Sequence, residues 1–137
     1  MNLELQRVAY RSDATRPDFA LQLLAEILSV SDRNNRRDGL TGVLVVGEGR
    51  FFQVLEGVSQ DLDRTLARIG ADPRHTGIQV VLRTSIRERM FSDWGMAATR
   101  ITPLRKPRID DVVASCDVAP ERAIMSARHL LEEQRRP

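Results

Sequence analysis

Residues 51–57 read FFQVLEG, and a strand of that sequence is apolar on both faces. Side chains alternate across a strand, so Phe51, Gln53 and Leu55 point one way while Phe52 and Val54 point the other. Any sheet that contains this strand must therefore be covered on both sides. The β-rich run LTGVLVVG at 40–47 precedes it, and only Glu48 and Gly49 separate the two, a connection short enough to make them an antiparallel hairpin. Gln53 is the residue out of place. A carboxamide stripped of water without a partner costs about 1–3 kcal/mol, so Gln53 must face a satisfied polar network or a bound ligand. With a donor end and an acceptor end it suits a polar heterocycle carrying adjacent carbonyl and ring-nitrogen positions.

The rest of the chain supplies partners for the hairpin. Residues 3–10 mix apolar and polar positions at about period two and end at the breaker-rich RSDATRPD, which predicts a first strand and then a loop. From Pro17 onward Phe19, Leu23, Leu24, Ile27 and Leu28 recur at helical spacing, predicting a helix that ends near Asp32, before the polar run RNNRRDG and the stop at Gly39. Ser59 is the expected N-cap of a second helix with Leu62, Leu66 and Ile69 on one stripe, and Pro73 forbids much continuation beyond Asp72. A fourth strand is expected at 77–86 and a short fifth at 94–100. The order βαββαβ plus one strand is an α+β, ferredoxin-like arrangement with two helices on one sheet face. The other face needs its own cover. Residues 109–116 and 120–134 look helical, the latter with Ile124, Ala127 and Leu131 on one stripe and Pro120 near its first turn. Pro103 and Pro107 divide a core, 1–102, from this helical cap, 103–137, within one globule.

At 137 residues and 42% hydrophobic content the chain is one domain with a real core. Its formal charge of +2 rests almost wholly on dispersed arginines, Lys106 being the only lysine, which argues against a nucleic-acid partner. A ferredoxin-like RNA-binding module would display aromatics on an open sheet face, and only 4% of residues are aromatic. The single cysteine, Cys116, reads as a small buried apolar residue and fits a reducing compartment. No apolar run approaches the roughly 18–20 residues of a membrane span, and no secretory signal opens the chain. A soluble cytoplasmic protein without membrane association is expected.

Taken singly, the remaining polar residues have ordinary explanations. Tyr10 reads as a rim residue at a strand end, Asn34-Asn35 as a helix stop, and Ile27 and Ile69 as core. Arg68 and Asp72 are spaced for a helix-surface ion pair, His75 sits in a turn-like PRHTG, and Trp94 and Met96 are packing residues. His129 has no assigned role. Strand parity nevertheless allows Tyr10, Gln53 and Met96 to share the helix-covered face, with Asn35 at the end of the first helix beside them.

AYRS around Tyr10, RNNRRDGLTG at 33–42, FFQVLEG, RIGADPRH ending at His75 and FSDWGM at 91–96 occur in that order, and together they resemble the successive motifs of the BLUF family, the flavin-binding blue-light sensors. The resemblance runs from about Leu5 to Met96. It implies non-covalently bound FAD, with FMN or riboflavin as alternatives, and a photoactive switch of Tyr10, Gln53, Trp94 and Met96. Tyr10 would be the light-driven electron and proton donor and Gln53 the amide that rearranges between it and the ring. Asn35 would hydrogen-bond the polar edge of the isoalloxazine, with Asn34 its more variable neighbour and Ser31 among the cofactor-binding residues. Ile27 and Ile69 would sandwich the ring, Arg68 and Asp72 would hold the ribityl–phosphate portion, and His75 lies just beyond. The residues after Thr102 show no recognisable output enzyme, so output by contact with a downstream protein, a homo-oligomer and no catalytic residue are expected. A flavin oxidoreductase is the alternative, but the sequence has no dinucleotide-type glycine fingerprint, no nucleophile paired with a base and no metal-ligand cluster.

Overall fold

The structure, a computed structural model, describes residues 4–16, 20–91, 97–99 and 102–135. The hairpin is its centre. β2 (Thr41–Gly47) and β3 (Arg50–Val58) pair antiparallel from Thr41 opposite Glu56 to Gly47 opposite Arg50. Glu48 and Gly49 turn the chain with φ of 55° and 73°, the two left-handed residues of a type I′ turn, whose twist matches that of the strands. β1 (Leu5–Ala14) lies antiparallel along the other side of β3, and β4 (His75–Ser85) antiparallel along β1. β5 (Ala97–Ala98) runs parallel to β2. The five-stranded order is β4-β1-β3-β2-β5, the ferredoxin-like core with its added strand.

Each sheet face has its own core. α1 (Ala20–Asp38) and α2 (Ser59–Gly70) cover the first, where Val8, Tyr10, Leu44, Phe51 and Leu55 are buried with Leu62 and packed by Ile27, Leu66 and Ile69. α3 (Lys106–Ser115) and α4 (Pro120–Arg135) cover the second. There Ala9, Val43, Val45, Phe52, Val54 and Phe91 meet Ile109, Val112, Val113, Ile124, Ala127 and Leu131. The division of Phe51 and Leu55 from Phe52 and Val54 is the one that strand alternation requires. Cys116 is fully buried in the second core.

Several boundaries differ from the sequence reading, each for a tertiary reason. β1 continues to Ala14 because both neighbours extend beside it, Ser12 facing Phe51 and Ala14 facing His75; Tyr10 is mid-strand and not at a rim. α1 continues to Asp38, so Asn34 and Asn35 lie within the helix and do not end it. Asp32 pairs with Arg36 one turn on, and Gly39 at φ 70° closes the helix while the Leu40 N–H donates to the Asn35 carbonyl at 2.8 Å, a left-handed cap that glycine makes without strain. Ser59 is not a cap: Val58 occupies that position with no side-chain bond, and the Ser59 hydroxyl accepts from Arg83 at 3.1 Å. His75 opens β4 and is no turn residue. α3 begins at Lys106, ahead of Ile109, with Pro107 in its first turn.

Candidate functional site

Tyr10 and Gln53 stand directly opposite each other on β1 and β3, so their side chains rise from the same face toward α1 and α2. Each is 2% exposed. The Tyr10 hydroxyl donates to Gln53 Oε1, which turns the amide nitrogen of Gln53 away from the phenol. Burial, and next the nearby Asp72 carboxylate, push the Tyr10 pKa well above its ordinary value of 10.0, so the phenol keeps its proton.

A slot opens between the two helices and this pair. Its inner part is lined by Tyr10, Ile27, Ser31, Leu44, Phe51, Gln53, Ile69, Asp72 and His75. Its outer part, about 500 Å³ including the mouth, is lined by Val30, Ser31, Asn34, Asn35, Gln53, Thr65, Arg68, Ile69, Asp72 and Arg74. Ser31, Gln53, Ile69 and Asp72 border both, so the two parts adjoin. Every described residue singled out from the sequence lies on it. Trp94 and Met96 lie outside the described residues.

The surroundings are built for orientation. His75 Nε2 meets the Ile69 carbonyl at 3.0 Å, and Nδ1 meets the Ser12 hydroxyl at 2.8 Å. A carbonyl only accepts, so Nε2 carries the proton and Ser12 donates to Nδ1. The ring thereby ties the end of α2 to β1, edge-on to Phe51. Burial lowers the His75 pKa from 6.5, against the raising effect of the Ile69 bond. At the mouth Arg68 and Asp72 do not pair with each other. Arg68 reaches Asp38 at 3.0 Å, and Asp72 is held by Arg74 at 2.6 Å. Arg74 bonds keep the Asp72 pKa below its usual range, and bonds from Arg37 and then Arg68 bring Asp38 to about 2.

Sequence reasoning passed over Thr65, Arg74 and Glu56. Thr65 is a buried hydroxyl within the stripe of Leu62 and Leu66, accepting from Arg68 at 3.2 Å. Glu56 bore the same signal as Gln53, a polar group within an apolar strand, and it is fully buried.

The donor set fits a flat heteroaromatic ring with one polar edge. Ile27 and Ile69, on different helices, supply apolar walls, and the carboxamides of Asn35 and Gln53, each 2% exposed, supply donors and acceptors beside them. The BLUF family model, sensors of blue-light using FAD, matches residues 5–97. Photoactivated adenylate cyclase subunit beta of Euglena longa is 40% identical over 98 residues, 71% of this chain but 11% of its own length. Subunit alpha from Euglena gracilis is 35% identical over 104 residues, 75% of this chain and 10% of its own length. The dark state structure of BlrB, a BLUF protein, is similar with a TM-score of 0.76 and 29% identity, covering 94% of this chain and 97% of that one. The photo-activated state of BlsA gives 0.79 and 25%, covering 93% and 94%.

Proposed function

Because the chain belongs to the BLUF family, the sensors of blue-light using FAD, we propose that it senses blue light through Tyr10 and Gln53 with FAD held in the slot between α1 and α2. The observation that carries this reading is the buried hydrogen bond from the Tyr10 hydroxyl to Gln53 Oε1 at the floor of that slot. Bound flavin supplies the visible chromophore and, once excited, a strong oxidant. Tyr10 would give up an electron and then its proton to that oxidant, with Gln53, which already accepts from the phenol, placed to pass the proton on. Gln53 rotates or tautomerises, exchanging the end it presents to the ring, and Tyr10 recovers what it gave. Nothing is consumed, and the altered hydrogen bond is the signal.

Asn35 orients the polar edge, with Asn34 its neighbour and Ser31 also against the cofactor, Ile27 and Ile69 exclude water from the ring faces, Arg68 and Asp72 hold the ribityl–phosphate portion, and His75 lies just beyond. Trp94 and Met96 complete the switch in this proposal on the strength of the FSDWGM motif. We assign residues 1–102 to the sensor and 103–137 to cover and output, because α3 and α4 pack on the sheet face behind Gln53. The chain aligns with a small part of the named cyclases, and this reading gives it no reaction of its own. It signals by contact, as a homo-oligomer, most simply a dimer, with a downstream protein. Among the described residues no helix is long and apolar enough to cross a membrane; the site of action in this proposal is the cytoplasm.

The test is one absorption spectrum taken before and after blue light. Purified protein is expected to be yellow, and light to shift the flavin band reversibly to longer wavelength with the flavin still oxidised. A colourless protein that flavin cannot reconstitute refutes the reading. Bleaching by a reduced nicotinamide cofactor would point instead to an oxidoreductase.

A further inference from the structure

Three residues beyond Gln53 on β3, Glu56 projects to the opposite face of the sheet. It is fully buried, and every group around its carboxylate is a donor. Arg7 Nε donates to Oε2 at 2.8 Å and Arg7 Nη2 reaches the same oxygen at 2.8 Å. The Met90 N–H lies 3.0 Å from both oxygens, and the Phe91 N–H donates to Oε1 at 2.7 Å. Arg89 completes the clasp, donating to the Glu56 carbonyl at 2.9 Å, Thr41 Oγ1 at 2.9 Å and the Gly39 carbonyl at 2.6 Å. Residues 89–91 are thus fastened to the end of β3 by one residue's backbone and side chain. The Phe91 ring, in turn, is fully buried in the core beneath α3 and α4.

A buried ion pair is a poor source of stability, since desolvation offsets most of its attraction, and its best-attested use is to fix register or a switch. The Arg7–Glu56 pair and the Tyr10–Gln53 pair lie on the same two strands in the same register. Charge-assisted bonds are short and directional, so a small displacement of β3 alters them, whereas an apolar residue at 56 would slide. Resting on the light-sensing reading above, we propose that Glu56 is a positioning residue that carries a change at Gln53 through β3 to the Met90 and Phe91 amides, and so to the core under the C-terminal helices.

Hydrogen exchange at those two amides reads the relay. In the dark, Gln53→Leu is expected to change exchange at Met90 and Phe91 about fivefold or more, and about twofold or less when Glu56→Gln is also present. The new amide nitrogen meets N–H donors and cannot accept from them. Adding Arg7→Gln to Glu56→Gln offers that nitrogen a carbonyl, frees the other end for the Met90 and Phe91 amides, and is expected to restore the Gln53→Leu effect. A Gln53→Leu effect that is undiminished by Glu56→Gln, or absent in the Glu56 background, overturns the relay. Under blue light the Glu56→Gln variant is expected to keep its spectral shift while exchange changes across α3 and α4 shrink about fivefold; unaltered changes there also overturn it. Because the mutant cycle is read in the dark, a wild-type protein with no light-induced shift would refute the photoreceptor reading and not the relay.

Discussion

Tyr10→Phe keeps the ring volume of a residue that is 2% exposed and removes both the proton and the easily oxidised phenol. Flavin is therefore expected to bind with near-normal affinity while the stable light-induced shift disappears. Gln53→Leu is expected to abolish the same shift by deleting both amide ends. A normal photocycle in either variant would show that the hydrogen bond between them is not the switch. Asn35→Ala tests a different role: flavin is expected to leave more readily on dialysis, with the shift surviving in the fraction that remains bound. His75 sets a pH dependence. Its folded pKa lies below 6.5 because it is buried, with the Asp72 and Arg74 charges acting in opposite directions nearby. The unfolded chain binds the proton more tightly, so this contribution is complete above pH ~6.5 and is lost as pH falls through the lower folded value. Urea midpoints measured downward from neutral pH should show the decline, and His75→Gln should flatten it. Gln53 was legible because a carboxamide in an apolar strand demands a partner. Glu56 made the same demand, but its partners, Arg7 and the amides of Met90 and Phe91, converge only once strand register and a distant loop are fixed.

At the scale of elements, helix ends were the least legible. The run RNNRRDG is polar enough to read as loop, yet it forms the last turns of α1. Asn35 is buried there, and the left-handed Gly39 provides the stop. β1 likewise outran its own alternation because β3 and β4 offer partners on both sides to Asp13. The two-residue hairpin was legible because its length alone selects the turn. Glu48 sits in that turn at φ 55°, a conformation that costs most L-residues about 1–2 kcal/mol and asparagine less. Its ion pair with Lys106 is more than half exposed on both sides and so contributes little. Glu48→Asn is therefore expected to stabilise the protein by about 0.5–1 kcal/mol, seen as a higher melting temperature with the photochemistry unchanged. A fall in melting temperature would mean that the Lys106 contact matters more than the backbone strain.

For the whole molecule, element order and strand parity made the ferredoxin-like core and its doubly covered sheet legible, because alternating apolar side chains on β3 admit no wet face. What occupies the second face required only that the tail be amphipathic. Phe52, Val54, Val43, Val45 and Phe91 are all 0% exposed beneath α3 and α4. Each large apolar side chain kept from water contributes about 1.5–3 kcal/mol, and a domain of this size is stable by only about 5–15 kcal/mol. Exposing that face removes a sum comparable to the whole. A chain truncated after Thr102 is therefore expected to aggregate or to melt well below the full chain, even with flavin in excess, although every described residue of the slot is retained. The comparison is best made by light scattering and by the temperature at which flavin is released. If the truncated chain proved as soluble and as heat-stable as the full one, a second subunit would have to be covering Phe52 and Val54, and sedimentation of that truncated chain would show it as a dimer.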